Sequence, residues 1–227
     1  MVTITFHGHA CFTFEADGHR VVVDPFLTGN PAADIPAGRL PKVDAVLLSH
    51  GHGDHLGDAI PIAQRDRALV VATYELAKFC EQRGVATHGM HIGGGHQFPF
   101  GRVKLVPALH GGQIEGDETG HFTTNPCGLL VTLGGRTLYH CGDTGLTMEM
   151  QLLTGQVDAM LVPIGDNYTM GIADAVRAVD FVQPRAVIPM HYNTFDLIRA
   201  DPQDFKRQVG SRAQVVVLAP GQSYTLS

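Results

Sequence analysis

The 227-residue sequence contains no tryptophan and only four cysteines, which are widely spaced and form no Cys-x-x-Cys pair. A disulfide framework or a cysteine-based structural zinc site is therefore not expected. No apolar run reaches the roughly 18 residues that a membrane-spanning helix requires, and the first residues do not combine a basic segment with a long apolar one. We therefore expect no membrane span and a cytoplasmic location.

Positive charge is also scarce, because 16 lysines and arginines stand against 22 aspartates and glutamates, for a net charge of −6. Proteins that hold nucleic acid cluster basic residues against its phosphates, whereas the basic residues here are scattered. A long nucleic acid is therefore disfavoured as a partner, and a small-molecule substrate is favoured. The length suits one α/β domain over residues 1–227, as a monomer or as a homo-oligomer.

Histidine, in contrast, is frequent, and three of its 13 occurrences fall within the segment His50-Gly51-His52-Gly53-Asp54-His55. Imidazole is a ligand for zinc and neighbouring transition metals, and carboxylate is a ligand for harder ions. A catalytic site combines such ligands with an open position for water. The pattern therefore indicates half of a dinuclear metal site that activates hydroxide, in preference to a solvated, histidine-rich surface loop.

The motif lies between two predicted secondary-structure elements. The apolar run 43–49 is typical of a buried strand, and residues 54–62 have the polar start and apolar spacing of a helix. Loops at the carboxyl ends of strands are where α/β sheets place their sites. The run 157–162 resembles 43–48 and indicates a structural duplication, while 214–218 is predicted to be the strand that completes the second sheet. Pattern alone predicts a mixed α/β sandwich.

The His-x-His-x-Asp-His pattern at the end of a strand resembles the signature of the metallo-β-lactamase superfamily of hydrolases. This resemblance implies an α/β fold, a four-layer αββα sandwich in which two mixed β-sheets lie face to face with helices outside. Segments 8–12, 23–25 and 168–171 are most similar to small bacterial metal-dependent hydrolases related to ascorbate-phosphate lactonase.

The resemblance also implies a full set of metal ligands, because His110, Asp143 and His191 each end a strand-like run. Two divalent ions per chain are implied, and zinc, manganese, nickel and iron all suit such ligands. The implied first site comprises His50, His52 and His110, the second comprises Asp54, His55 and His191, and Asp143 bridges the two.

Members of the superfamily that perform di-iron oxygen or nitric oxide chemistry typically carry Glu at the position of His52, so the resemblance favours hydrolysis over redox chemistry. We predict a metal-dependent hydrolase in which a hydroxide bound by both metals attacks a small phosphodiester or a phosphorylated ester or lactone. Asp54 is the predicted catalytic residue, as a proton shuttle as well as a ligand. The alternatives are a lactonase or thioester hydrolase without phosphodiesterase activity, and a non-catalytic metal-binding sensor or interaction protein.

Four residues are candidates for contact with the substrate: His9, Asn167, Thr169 and Asn193. His9 is expected to reach the substrate or to hydrogen-bond within the scaffold. Asn167 and Thr169 are candidate donors to a developing oxyanion, or members of a simple turn. Asn193 follows the predicted ligand His191 and has the same two interpretations. The polar loop 111–126 is the first candidate for substrate specificity, and loop 25–41 is predicted to lie at the rim of the site or to be a plain connection.

Overall fold

Two seven-stranded β-sheets form the centre of the molecule. The structure is a computed structural model that describes residues 1–227. The first sheet contains β1 (Val2–Phe6), β2 (Phe12–Ala16), β3 (His19–Val23), β4 (Ala45–Leu47), β5 (Leu69–Thr73), β6 (Thr87–Met90) and β14 (Ser223–Leu226). The second contains β7 (Gly95–Phe98), β8 (Gly101–Pro107), β9 (Cys127–Leu133), β10 (Arg136–His140), β11 (Ala159–Pro163), β12 (Ala186–Met190) and β13 (Gln214–Val215).

Both sheets are mixed and share one topology. The first has the order β14-β1-β2-β3-β4-β5-β6, and the second has the order β13-β12-β11-β10-β9-β8-β7. In each sheet four strands pair antiparallel, and three parallel strands follow. Strands β4 and β11, which carry the similar runs noted in the sequence, occupy equivalent positions. The predicted duplication is therefore confirmed at the level of topology.

The helices lie outside the sheets. They are α1 (Gly53–Leu56), α2 (Ala59–Asp66), α3 (Tyr74–Glu81), α4 (Ile172–Val182) and α5 (Pro202–Val209), with 3₁₀ segments at Ala37–Arg39, Met148–Leu153, Asp196–Ile198 and Gly210–Arg212. Helix α4 forms because its apolar residues recur at helical spacing and bury one face, from Ala175 to Val182. Helix α5 begins at Pro202 and is capped by the Asp201 carboxylate, which accepts the Gln203 N–H. The longest helix has 11 residues, and none is long and apolar enough to cross a membrane.

Alternation along the strands creates two apolar layers. In β3, Val21 and Val23 join the core between the sheets, whereas Val22 packs towards α2 and α3. In β4 the same alternation directs Leu47 to the inner core and Val46 to the outer one. This period of two is the pattern of a sheet covered on both faces. The predicted sandwich of two mixed sheets with helices outside is confirmed.

The C-terminal segment differs from the prediction. Only Gln214–Val215 pairs in the second sheet, and the last strand, Ser223–Leu226, returns to the first sheet beside β1. Pro220 has no N–H to donate to a continued ladder, and the next residue, Gly221, adopts a left-handed turn (φ 84°) whose N–H donates to the Phe6 carbonyl. The predicted strand therefore does form the edge of the second sheet, but it is shorter than 214–218, and the chain then crosses to complete the first sheet.

Candidate metal centre

The predicted ligands lie on four loops that follow the carboxyl ends of strands. The His50–His55 motif follows β4, His110 follows β8, Asp143 follows β10 and His191 follows β12. The motif continues directly into α1, for which His52 is the N-cap. Because β4 belongs to the first sheet and the other three strands to the second, the cluster is assembled by the packing of both sheets.

The first ligand set brings three imidazole nitrogens together. His50 Nε2 lies 3.0 Å from His52 Nδ1, and His110 Nε2 lies 3.2 Å from the same His52 atom. A single ring nitrogen cannot satisfy two such neighbours through one proton. All three nitrogens are close enough to share one ion.

Asp143 connects this set to the second. One of its carboxylate oxygens, Oδ2, lies 3.4 Å from His110 Nε2 and 3.0 Å from His191 Nε2. The other oxygen, Oδ1, lies 3.2 Å from His55 Nε2. Asp54 Oδ2 is 3.9 Å from His191 Nε2. The carboxylate of Asp143 therefore faces ligands of both sets, which is the position that a bridging ligand requires.

The buried polar atoms of the cluster fit a cation. His55 Nε2, Asp143 Oδ1 and the ring nitrogens of His191 are buried without a hydrogen-bond partner. Some of these atoms are close to one another, but their approach angles do not make hydrogen bonds. Leaving a buried polar atom unsatisfied costs about 1–3 kcal/mol, and a cation accepts such lone pairs. Imidazole and carboxylate together suit zinc, manganese, iron or nickel.

Asp24 orients ligands in both sets. Its buried carboxylate accepts the Ser49 N–H (2.8 Å), the Ser49 hydroxyl (2.5 Å) and the proton on His55 Nδ1 (2.8 Å). Ser49 Oγ lies 3.0 Å from His50 Nδ1. Burial alone would raise the pKa of Asp24, but the neighbouring His55 holds it below its ordinary value. Protons held on the Nδ1 atoms leave the Nε2 lone pairs of His50 and His55 directed into the cluster.

His9 contacts both Asp54, on the motif loop, and His191, on the loop after β12. Its backbone is left-handed (φ 58°), and its carbonyl accepts the His191 N–H at 2.8 Å. Its ring Nδ1 lies 2.8 Å from Thr194 Oγ1, and its ring Nε2 lies 3.2 Å from Asp54 Oδ2. Burial lowers the pKa of His9 to about 4, against the opposing effect of Asp54, so the ring is neutral at pH 7. The neutral ring donates to Asp54 and accepts the Thr194 hydroxyl, while its own side chain is 0% exposed.

Comparison with known proteins decides the family. A model of the β-lactamase superfamily domain matches residues 3–191. The chain belongs to the metallo-β-lactamase superfamily. The UPF0173 metal-dependent hydrolase of Heliobacterium modesticaldum is 48% identical over 100% of this chain and 98% of the relative. That of Pelotomaculum thermopropionicum is 50% identical over 98% of this chain and 99% of the relative.

A solved structure agrees with these relatives. Igni18, a metallo hydrolase from the archaeon Ignicoccus hospitalis, superposes with a TM-score of 0.90 at 35% identity, covering 100% of this chain and 99% of that one. The predicted enzyme class, a metal-dependent hydrolase of the metallo-β-lactamase superfamily, is confirmed by these similarities. The finer resemblance to the ascorbate-phosphate lactonase branch stays a prediction.

The electrostatics of this superfamily site suit metal binding. Burial lowers the pKa values of His50 and His110, so both are neutral at pH 7. Burial would raise the pKa of Asp143, but His191 and His55 hold it well below its ordinary value. His55 is the exception, because Asp143 and Asp24 outweigh its burial and raise its pKa. Its Nδ1 proton faces Asp24 and its Nε2 faces Asp143, where a cation would supply the positive charge of a second proton.

The site opens into a cavity of about 230 Å³, lined by His52, Asp54, His110, Asp143, Tyr168 and His191. None of the four predicted substrate contacts lines it, and the buried His9 ring instead bonds Thr194 and Asp54. Asn167 is exposed, the Thr169 hydroxyl donates to the Met170 carbonyl, and the Asn193 amide bonds in both directions to the Ala200 backbone. A role for these four residues in substrate contact stays a prediction.

The structure also shows where the predicted specificity loop lies and which site residues the sequence did not indicate. Loop 111–126 is fixed beside the motif, since the Glu115 N–H donates to the Gly51 carbonyl at 2.8 Å, but none of its side chains lines the cavity. No role was predicted for Asp24, Ser49 or Thr194. For Asp24 a signal was present, because it ends an apolar strand just as other site residues do.

A larger cavity, about 510 Å³, lies at the opposite end of the first sheet beside the β2–β3 turn. Its charged side chains pair with one another, since Arg20 reaches Glu15 at 2.7 Å and His19 reaches Asp44 at 3.2 Å. It contains none of the clustered ligands. The smaller cavity is therefore the candidate active site.

Proposed function

We propose that this chain uses two divalent ions to hydrolyse a small carbonyl ester or lactone. The observation that carries the proposal is Asp143, whose two oxygens face His110, His191 and His55 at 3.0 to 3.4 Å. His50, His52 and His110 would hold one ion, and Asp54, His55 and His191 the other. Since these ligands come from both sheets, we propose that residues 1–227 act as one domain.

When bound, the ions would lower the pKa of water into the neutral range and polarise the substrate carbonyl. Asp54 is the residue of this chain that takes the proton from the attacking water. Its side chain is 30% exposed in the cavity, and the His9 ring is 3.2 Å from its Oδ2 atom. Burial would raise the pKa of Asp54, but the hydrogen bond from His9 and the neighbouring His55 together hold it below its ordinary value, so the carboxylate is ionised and can accept that proton.

The lining favours an uncharged electrophile. No lysine or arginine lines the cavity, whereas sites that bind phosphate groups commonly supply such cations. In this cavity only the ions could neutralise the negative charge of the predicted phosphodiester substrate. A lactone or other carbonyl ester makes no such demand, and the carbonyl alternative is therefore the function that the geometry supports best.

The test compares a simple lactone with an aryl phosphodiester, using protein loaded with zinc or with manganese and its metal content measured by mass spectrometry. We expect two ions per chain and turnover of the lactone. The isosteric Asp54→Asn variant, assayed at full metal loading, is expected to lose most turnover. Phosphodiester turnover alone would contradict the substrate class. A single ion per chain would contradict the dinuclear site, and inertness of the loaded protein towards both substrates would favour the sensor alternative.

A further inference from the structure

Large apolar side chains lie beside the polar cavity on four different loops. They are Phe26, Leu109, Tyr168 and Phe195, which we call the apolar rim. Leu109 is 67% exposed, Tyr168 is 54% exposed and Phe195 is 42% exposed. Single exposed apolar residues are ordinary on protein surfaces. Three exposed side chains and the half-buried Phe26, all beside one cavity, form an apolar feature that a ligand can cover.

Leu109 and Tyr168 are tied to the ligand loops. Leu109 directly precedes His110, and its N–H donates to Thr144 Oγ1 at 3.0 Å. Its carbonyl accepts the Gly145 N–H, also at 3.0 Å, so it is held against the loop that carries Asp143. Tyr168 lines the cavity itself. These two residues therefore form the rim on the side of His110 and Asp143.

Phe26 and Phe195 form the rim on the side of Asp54. Their ring centroids lie 5.8 Å and 5.6 Å from that of His9, and 6.5 Å from each other. His9 in turn contacts Asp54. The Asn193 amide closes the loop that carries Phe195 by bonding in both directions to Ala200 at 3.0 Å. The ring of Phe195 is thus presented from a fixed loop.

From this arrangement we infer that the rim binds an alkyl or aryl substituent of the substrate, so that the substrate is a neutral ester or lactone with a side chain of several carbons. The inference rests on the proposed function, because it names the substrate class of that site. No rim residue is charged, and neither is any cavity residue apart from the ligands. Covering the rim removes apolar surface from water, which favours binding by about two- to fourfold for each methylene that is covered.

The first experiment measures kcat/KM for γ-lactones whose alkyl substituent grows one methylene at a time. We expect a rise of about two- to fourfold per methylene in the wild type. Phe195→Ala and Tyr168→Ala should flatten this dependence. Leu152→Ala is the matched control, since Leu152 is 74% exposed but lines no part of the cavity. Equal dependence on chain length in all four proteins would overturn the inference.

A second experiment separates this inference from the proposed function. Calorimetry measures the binding of a short-chain and a long-chain alkyl hydroxamate to zinc-loaded protein, with no turnover required. We expect the long chain to bind at least tenfold tighter to the wild type and to Leu152→Ala, and less than threefold tighter to Phe195→Ala. If the protein does not hydrolyse lactones but still binds the long-chain hydroxamate more tightly, the proposed function is wrong and the binding of alkyl groups at the rim is supported. Equal affinity for both hydroxamates in the wild type overturns the rim, whatever the turnover.

Discussion

Replacing Asp24 with asparagine tests how this chain prepares its ligands. The substitution keeps the shape of the side chain but replaces one carboxylate oxygen with an amide donor. At the Oδ1 position that donor would face the Ser49 N–H, 2.8 Å away. At the Oδ2 position it would face both the Ser49 hydroxyl and the proton on His55 Nδ1, which now approach Oδ2 at 2.5 and 2.8 Å. His55 would relieve the clash by moving its proton to Nε2, the atom directed at Asp143. The ring would then be unable to act as a ligand in that tautomer.

The expected effect is a loss of metal affinity in both sites. A hydrogen-bond partner of a metal-binding imidazole is worth about 10- to 100-fold in affinity, which is about 1.4 to 2.7 kcal/mol. Asp24 acts on His55 directly and on His50 through Ser49 Oγ, which lies 3.0 Å from His50 Nδ1. Asp24→Asn should therefore weaken both ions, whereas Ser49→Ala should weaken chiefly the ion held by His50.

The assay is zinc titration in competition with a chromophoric chelator. Asp34→Asn is the control, because Asp34 bonds His7 at 2.9 Å in a second His–Asp pair that contains no predicted ligand. It should bind zinc as the wild type does. Wild-type affinity in Asp24→Asn, within twofold, would refute the reasoning. A loss confined to one site in that variant would refute the path through Ser49.

Two further predictions concern stability. The pKa of His9 in the folded protein is about 4, against 6.5 for an ordinary histidine. The free energy of unfolding that depends on a neutral His9 ring is therefore fully present above pH 6.5 and is lost as the pH falls towards 4. In metal-free protein, His9→Gln should reduce that acid-induced loss of unfolding free energy by about 3 kcal/mol. The measurement is the unfolding free energy from urea titration at pH 7 minus that at pH 4. If the variant shows the same difference as the wild type, the ring is not neutral and buried. At Gly112, a Cβ would lie 2.1 Å from the Thr124 carbonyl oxygen, whereas at Gly38 it would meet no atom within 4 Å. Gly112→Ala should therefore lower the unfolding free energy by about 1–3 kcal/mol, whereas Gly38→Ala should lower it by less than about 0.5 kcal/mol. Equal urea midpoints for the two variants would show that the loop at Gly112 accommodates the methyl group.

Secondary structure was predictable where the apolar pattern is strong. Helix α4, Ile172–Val182, is an example, because its apolar residues recur at helical spacing and indicate a helix from the sequence alone. Helix α5 was not predicted, since it buries only Phe205 and Val209 and is otherwise polar. Strand β14 was also missed, because its four residues become a strand only by pairing with β1. Short elements of this kind depend on a partner far away in the chain.

The sequence by itself determined which residues can hold metal ions, since His-x-His-x-Asp-His is a local pattern whose chemistry does not depend on the rest of the chain. It also indicated the superfamily and, through that resemblance, the two-sheet architecture, whereas pattern alone indicated a mixed α/β sandwich. The packing of the two sheets, in contrast, brings Asp24 and Ser49 against the imidazoles, lets His9 bond Thr194 across 185 positions, and places apolar residues of four loops beside the cavity. Hydrogen bonds and apolar contacts act over a few ångströms in space. Spacing along the chain therefore cannot predict them until the two sheets have packed.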